Sequence, residues 1–404
     1  MNKGRAFITG ISGFVGPHLA ERLLELGYEV YGLVRRRANF SIPQRLVETG
    51  LANKVKLIEG DVMDLTNLIS AIKNVEPNLV YHLAAQTFVP KSFKDPLETF
   101  MINSLGTQNI LEAIRISDVD CRVVYAGSSE EYGLQFISEE HYRRLIQKYG
   151  VINPEPTRIP ELPIDENNPL RPVSPYAVSK VHGDYLFRIY YYDYGLKTVV
   201  SRAFNHEGPG RGANFVTSTI VIQCLKLVEG ARNHVDIGDV NVHRDWSHVL
   251  DIIDGYVLIG EKGRAGGVYV QGSMRTNSVL TFLLLTLREL GYEVLEVEAI
   301  RGGKRVKDPL EMDYSECFGI RFEKSKIDRL ILNGELRYEL SDKGLNIRTD
   351  KGVVKVIFDP KRFRPVDVPV LLSNPSKAMT LGFNVRRKLS DVVRDLIRYW
   401  RNKI

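Results

Sequence analysis

The sequence predicts an α/β protein, with a doubly wound parallel sheet in its N-terminal half and a smaller mixed α/β part after it. Three observations carry this expectation. Short apolar runs alternate with helical stretches through the first 200 residues, the pattern of βα units. A glycine-rich turn joins the first such run to the first helix. Beyond residue 300, short alternating runs punctuated by Gly and Asp replace the βα pattern. The 404 residues are 44% hydrophobic and 26% charged, enough for one large α/β unit or two domains.

Composition narrows the classes further. The three cysteines, Cys121, Cys224 and Cys317, are widely spaced, so neither a disulfide framework nor a Cys-rich metal site is expected. No two histidines have zinc-ligand spacing, and no metal is expected. No run of about 18 apolar residues is present, and Met1–Arg5 runs straight into a strand. A cytoplasmic protein with no signal peptide or membrane contact is therefore expected. The net charge of +6 is uneven: residues 301–404 carry 24 Lys/Arg against 14 Asp/Glu, which leaves −4 for the first 300. Such a basic third suits nucleic acid, anionic lipid or a phosphorylated substrate, or is solvated surface. No aromatic-and-basic motif supports nucleic acid, which is not expected as a partner.

In chain order, Arg5–Thr9 reads as a buried strand. Gly10-Ile-Ser-Gly13-Phe-Val-Gly16 follows, then a periodic helix from His18 to Leu26. Glycines let the backbone approach a pyrophosphate, and the helix N-terminus offers free N–H groups. This makes the sheet a Rossmann sheet, with Gly10, Ser12, Gly13, Phe14, Val15 and Gly16 around a dinucleotide. Tyr28–Val34 is the second strand, and Arg35, Arg36 and Arg37 follow it. An acidic residue there would bind the ribose 2′-OH of NAD. Arginines instead pair with a 2′-phosphate, so NADP is the expected cofactor. Val55–Glu59 is the third strand, and Asp61, before Val62, is placed to bond an adenine amino group. Asn78–Leu83 runs into Ala84-Ala85, small residues where a cofactor would lie. A long helix, Pro96 to Ile116, precedes the strand Cys121–Ala126, which ends in Gly127-Ser-Ser-Glu-Glu-Tyr-Gly133. Ligands of such sheets lie at the strand C-termini.

The chemical signal is Ser174-Pro-Tyr176-Ala-Val-Ser-Lys180. Ser174 suits an N-cap and Pro175 the first helical position. Tyr176 and Lys180, four apart, share one helix face. A fixed ammonium favours phenolate, so Lys180 is expected to lower the Tyr176 phenol and make it an acid/base. Ser128 and Glu130 add a hydroxyl and a carboxylate.

Together, the Gly10–Gly16 loop, Leu83-Ala84-Ala85, Ser128 and Tyr176-x-x-x-Lys180 resemble the extended short-chain dehydrogenases/reductases, in their nucleotide-sugar branch. Val34–Phe40, Phe204–Thr217 and Arg244-Asp-Trp-x-His248 resemble the GDP-mannose 4,6-dehydratases within it. Gly127–Gly133 and Leu170–Tyr176 also resemble the sister 4-keto-6-deoxymannose reductases. The likeness covers roughly residues 5–300 and 362–400. It implies transient oxidation at C4, deprotonation at C5, loss of water from C6 and return of the hydride. The alternatives are an NADPH-dependent 4-keto-sugar reductase and a C4 epimerase. The resemblance implies that Ser128 and Tyr176 contact O4, that Lys180 holds the nicotinamide ribose, and that Glu130 is the C5 base. It implies cofactor contacts from His206 and Arg211, besides Val62, Leu83, Ala84 and Ala85. Substrate contacts are implied for Gln86, Asn205, Arg244 and Arg364, with GDP-mannose the favoured nucleotide sugar. Ser128 departs from the usual threonine, and Gly210 and Ser218 from arginines.

Two segments stand outside the pattern. Residues 134–165 are an insertion within the NADP-binding part (1–200), with a charged helix over Ser138–Tyr149 and an open stretch holding Pro154, Pro156, Pro160 and Pro163. It covers the mouth of the site or decorates it. The substrate-binding part (201–404, some segments returning to the sheet) carries an atypical insertion at about 301–361. There, Leu336–Leu340 and Leu345–Thr349 read as a hairpin and Val353–Phe358 as a third strand. The helix from Pro175 to Tyr194, rich in tyrosine, resembles the family's dimer helix, with Pro96–Ile116 as its partner, which implies a homodimer or homotetramer.

Overall fold

Six strands of the N-terminal half and one of the second half form a single parallel sheet. The computed structural model describes residues 3–36, 41–363 and 368–404. The strands are β1 (Gly4–Thr9), β2 (Tyr28–Val34), β3 (Lys56–Glu59), β4 (Leu79–His82), β5 (Arg122–Ala126) and β6 (Lys197–Ala203), with Val268–Gln271 at one edge. Their order is Val268–Gln271, β6, β5, β4, β1, β2, β3. Every pairing is parallel, and β1 lies between β2 and β4, so Thr9 pairs both Leu33 and His82. The chain reverses its direction of travel across the sheet between β1 and β4. That is where an open α/β sheet leaves a crevice.

Both faces of the sheet are covered, which is why β4 is buried throughout. Helices Leu65–Val75, Gly106–Ser117 and Pro175–Tyr194 bury Leu68, Ile72, Ile110, Ile114 and Phe187 against one face. Helices Val15–Glu25 and Val249–Lys262 bury Leu19, Leu23, Ile252, Ile253 and Tyr256 against the other. The expected helix Pro96–Ile116 is present without a gap but carries a π-turn: Pro96–Phe100 passes through Met101–Leu105 into Gly106–Ser117. The extra residue turns Asn103 inward, where its amide bonds the Gln86 backbone and Ser179 Oγ.

The second part is built on a five-stranded sheet, in the order Arg305–Lys307, Val294–Ala299, Gly344–Thr349, Gly352–Phe358, His234–Ile237. The expected hairpin is displaced by one element. Gly344–Thr349 pairs antiparallel with Gly352–Phe358, across a turn at Asp350-Lys351. Leu336–Leu340 is not a strand, because the Asn241 side-chain amide takes its backbone groups. Tyr338 N–H donates to Asn241 Oδ1 and Asn241 Nδ2 to the Tyr338 carbonyl, each at 2.8 Å.

Residues 134–165 hold the expected helix, at Glu139–Tyr149. Leu162 and Ile164 of this insertion pack with Phe322 of the C-terminal insertion and with Val368, Val370, Leu371 and Leu372. Two insertions remote in sequence therefore share one apolar cluster.

Candidate active site

A cleft of about 1500 Å³ runs along the C-terminal ends of β1, β2, β4, β5 and β6 and between the two sheets. It begins at the glycine turn. Gly10 has φ +76, and a Cβ there would lie 2.8 Å from Ala84 N, so only glycine lets the turn sit against the end of β4. At Gly16 a Cβ would lie 2.5 Å from Ile11 Cα, and the helix start stays tight against the turn. No side chain caps that helix at Phe14, which leaves its first amides for a phosphate. This cradle fits a dinucleotide.

Ser12, Gly13, Phe14, Val15, Arg35, Arg36, Asp61, Val62, Leu83, Ala84 and Ala85 all line the cleft. Asp61 Oδ1 accepts from Met63 N–H at 3.0 Å, closing its loop. Thr9 Oγ1 accepts from Ala84 N–H at 3.2 Å and bonds His82 Nδ1 at 2.8 Å, while His82 Nε2 meets Thr107 Oγ1 at 3.0 Å. Burial, and secondarily Lys180, pushes the His82 imidazolium down to about 3, so the ring is a neutral spacer between two threonines. Arg37 and Arg364 lie outside the described residues.

Ser128, Glu130, Tyr176 and Lys180 all line the same cleft. Ser128 caps a single turn, Ser129–Glu131, accepting from Glu130 N–H at 3.2 Å. Ser174 caps the helix Pro175–Tyr194, accepting from Ala177 N–H at 3.1 Å. Tyr176 and Lys180 sit one turn apart on its buried face. The expected lowering of the Tyr176 phenol is not found. Burial raises it, against the nearby Ser128 side chain, and Glu130 and Glu131 add repulsion. Lys180 is turned from it: Nζ donates to the Ala126 carbonyl at 2.7 Å and lies 4.9 Å from the Tyr125 ring centre. Burial lowers the Lys180 ammonium to about 8, with Glu131 opposing.

The second wall comes from after β6. His206 Nδ1 meets the Phe204 carbonyl at 2.9 Å and its ring stacks on Phe14, with centroids 6.0 Å apart. Arg211 lies 3.6 Å over the Phe215 ring, its Nε 3.1 Å from Glu207. Asn205 Oδ1 is buried with no hydrogen-bond partner among the described residues, an open acceptor at the cleft. Arg244 Nη1 donates to the His243 and Val368 carbonyls at 2.9 and 2.7 Å. Gln86 also lines the cleft, but its side chain is committed: Oε1 accepts from Phe88 N–H at 2.6 Å and Nε2 donates to Thr99 at 3.1 Å. None of residues 134–165 lines the cleft, because that insertion packs behind it.

Several lining or supporting groups escaped the sequence. Lys361 and Arg362 also line the cleft, where the Arg362 backbone lies against Gly238. Asn103 needed the π-turn to be seen. Glu131 sits behind Ser128, and Asp184 follows Lys180 by four; the first adjoins Glu130 in the sequence and the second has a visible helical spacing.

Residues 6–272 match the NAD dependent epimerase/dehydratase family. The chain belongs to that family. Its members are nicotinamide-dependent enzymes, and this chain has their seven-stranded sheet. Among curated relatives, the GDP-mannose 4,6-dehydratase of Vibrio cholerae serotype O1 is 31% identical over 404 residues, covering 98% of this chain and 93% of that one. GDP-mannose 4,6 dehydratase 2 of Caenorhabditis elegans is 29% identical, covering 97% and 87%. Among solved structures, the NADPH complex of RMD from Pseudomonas aeruginosa superposes with TM-score 0.67 at 21% identity over both whole chains. The NAD complex of Thermus thermophilus UDP-glucose 4-epimerase gives 0.68 at 22%, over 99% and 100%. These last two likenesses concern the fold. Among the described residues, no helix is long and apolar enough to cross a membrane.

Proposed function

We propose that this enzyme is an NADP-dependent GDP-mannose 4,6-dehydratase. The observation that carries the reading is similarity to curated GDP-mannose 4,6-dehydratases over nearly the whole chain. The cleft also holds what a dehydratase needs: Ser128, Tyr176 and Lys180 for oxidation at C4, and the carboxylate of Glu130 as a base for C5.

The glycine turn and the free helix start would hold the pyrophosphate, and Arg35 and Arg36 a 2′-phosphate, which favours NADP over NAD. When bound, the nicotinamide supplies the acceptor, and later the donor, of one hydride. The chain supplies the rest. Tyr176 Oη takes the proton of the sugar O4 and Ser128 Oγ bonds that oxygen as charge develops on it. Lys180, freed from the Ala126 carbonyl, favours the tyrosinate. The C4 ketone acidifies C5–H; Glu130 removes that proton and delivers it to the C6 hydroxyl, which leaves as water. With the hydride returned to C6, C5 takes the proton that Tyr176 removed from O4; the sum is loss of one water, and no cofactor is consumed. Asn205 and Arg244 would bind the substrate, and His206 and Arg211 the cofactor.

Pure protein incubated with GDP-mannose and no added cofactor tests this. A 4-keto-6-deoxy product is expected, from NADP that travels with the protein. No product, together with NADPH oxidation when the 4-keto-6-deoxy sugar is supplied, makes the protein a reductase instead.

A homodimer is the proposed assembly. Val178, Tyr185, Ile189 and Tyr192 are exposed on the helix Pro175–Tyr194, and Leu97 and Phe100 on the helix Pro96–Phe100 packed beside it. A second copy would cover this apolar surface, and sedimentation as a monomer at micromolar concentration would refute it.

A further inference from the structure

Behind the cleft, a buried ion cluster continues the helix face that carries the acid/base pair. Tyr176, Lys180, Asp184 and Arg188 follow one another at four-residue spacing on the helix Pro175–Tyr194. Asp184 is fully buried; Oδ2 accepts from Arg202 Nε at 2.9 Å, and Oδ1 lies 2.5 Å from Arg188. The same Arg202 Nε lies 3.3 Å from Glu131 Oε2, between two side chains that are both buried. Arg202 Nη1 also donates to the Tyr132 hydroxyl at 3.1 Å. Glu131 Oε1 in turn accepts from Ser128 N–H at 2.7 Å. The fit there is close, since a Cβ on Gly127 would fall 2.6 Å from that oxygen. A run of polar contacts thus joins the Ser128 amide, through Glu131 and Arg202, to Asp184, one helical turn from Lys180.

Glu131 does not line the cleft, so it does not touch substrate. Burying its carboxylate has a substantial desolvation penalty, several kcal/mol per ion in ordinary proteins. Burial and the neighbouring Asp184 accordingly push the carboxyl above its usual range, while Arg202 and the Ser128 amide oppose them. An apolar side chain would fill this space without that penalty. What a carboxylate adds is an acceptor for the Ser128 amide and a partner for Arg202.

We propose that Glu131 is a positioning residue for the dehydration, holding the Ser128–Glu130 turn in register with Tyr176 and Lys180. The inference rests on the dehydratase reading, and two readouts separate their failures. The first is amide exchange of residues 127–133 in the full-length protein. Glu131→Ala is expected to speed it at least about tenfold, as a lost protecting bond does, with exchange elsewhere unchanged. The second is turnover of GDP-mannose. A misplacement of about 1 Å costs about 10²-fold, so kcat of Glu131→Ala is expected to fall by about that factor while KM stays within about threefold. The isotope effect from deuterium at C5 is expected to rise, because Glu130 then reaches that proton poorly. A smaller folded fraction would not change the isotope effect. Glu131→Gln keeps an acceptor for the Ser128 amide but loses the ion pair; about tenfold loss of kcat, with a raised isotope effect, is expected. This variant decides the matter if alanine prevents folding. Unchanged exchange, or normal kcat and isotope effect, overturns the inference. Failure of the wild type to turn over GDP-mannose overturns the dehydratase reading instead, and the exchange result then decides the role of Glu131.

Discussion

The two ends of the cleft are made in different ways. At one end, Ser128, Glu130, Tyr176 and Lys180 come from two short contiguous stretches, each opened by a serine cap. At the other end, Asn205, Arg244, Lys361 and Arg362 arrive from three separate segments of the chain. Arg244 is held there by the carbonyl of Val368, over 100 residues away, at 2.7 Å. The first end is fixed by local hydrogen bonds backed by a buried ion cluster, and the second by tertiary closure. Chemistry therefore sits on a rigid local scaffold, while recognition depends on how the second sheet docks.

The largest effects should come from the local end. Tyr176→Phe removes one hydroxyl and keeps the ring that fills the buried site. General acid–base groups contribute about 10²–10⁴-fold, so kcat is expected to fall at least that far while the thermal unfolding midpoint hardly moves. Near-normal turnover would remove the phenol from the chemistry and break the contrast at its stronger end. Glu130→Gln is expected to lose water elimination by a similar factor, about 10²–10⁴. A sugar oxidised at C4, with its C6 oxygen retained, should then be detectable by mass spectrometry after a single turnover. Full dehydration by this variant would show that another group is the base.

The same contrast explains what the sequence disclosed. The βα units, the glycine turn and the Tyr176–Lys180 pair are short-range patterns, and periodicity exposes them. The direction in which Lys180 points and the raised Tyr176 phenol were not legible, because burial decides both and burial is a property of the assembled fold. The hairpin beyond residue 336 was misread for a related reason. Leu336–Leu340 alternates like a strand, but the Asn241 side chain satisfies Tyr338 from a segment nearly a hundred residues earlier. Lys361 and Arg362 belong to the basic C-terminal third, and net charge alone does not single out which of its cations line the cleft.

At the recognition end the expected effect is smaller and falls on binding. Arg244→Lys keeps a positive charge but gives up the planar guanidinium, which is oriented by Nη1 donating to both the His243 and Val368 carbonyls. Loss of one charge-assisted bond, about 1.5–3 kcal/mol, corresponds to a rise in KM for the nucleotide sugar of about tenfold or more, with kcat nearly unchanged. A fall in kcat with constant KM would mean that Arg244 acts on the chemistry, and the two ends would no longer divide the work as described.

Acid should separate the two ends most gently. His82, between Thr9 and Thr107 beneath the catalytic end, is pushed down to about 3, chiefly by burial. Its folded value lies below the unfolded one of about 6.5, so the unfolded chain takes up the proton first. Stability at this end is therefore lost as pH falls below about 6.5, at up to roughly 1.4 kcal/mol per pH unit. Near the recognition end, one fully buried carboxylate is Asp328, which accepts from Thr281 at 2.7 Å and from Ser278 N–H at 2.8 Å. Burial raises this carboxyl, but His243, Ser278 and Asn277 outweigh it and bring it down to about 2. Its contribution is present above the unfolded value near 4 and is lost only as pH drops toward 2. At pH 5, then, amides of β1 and β4 are expected to lose exchange protection relative to pH 7, while those of residues 277–281 and 325–328 keep theirs. His82→Gln should flatten the loss in β1 and β4, since glutamine does not titrate. Equal loss at both ends in the wild type would mean that the molecule opens as one unit, and the local scaffold would then have no stability of its own.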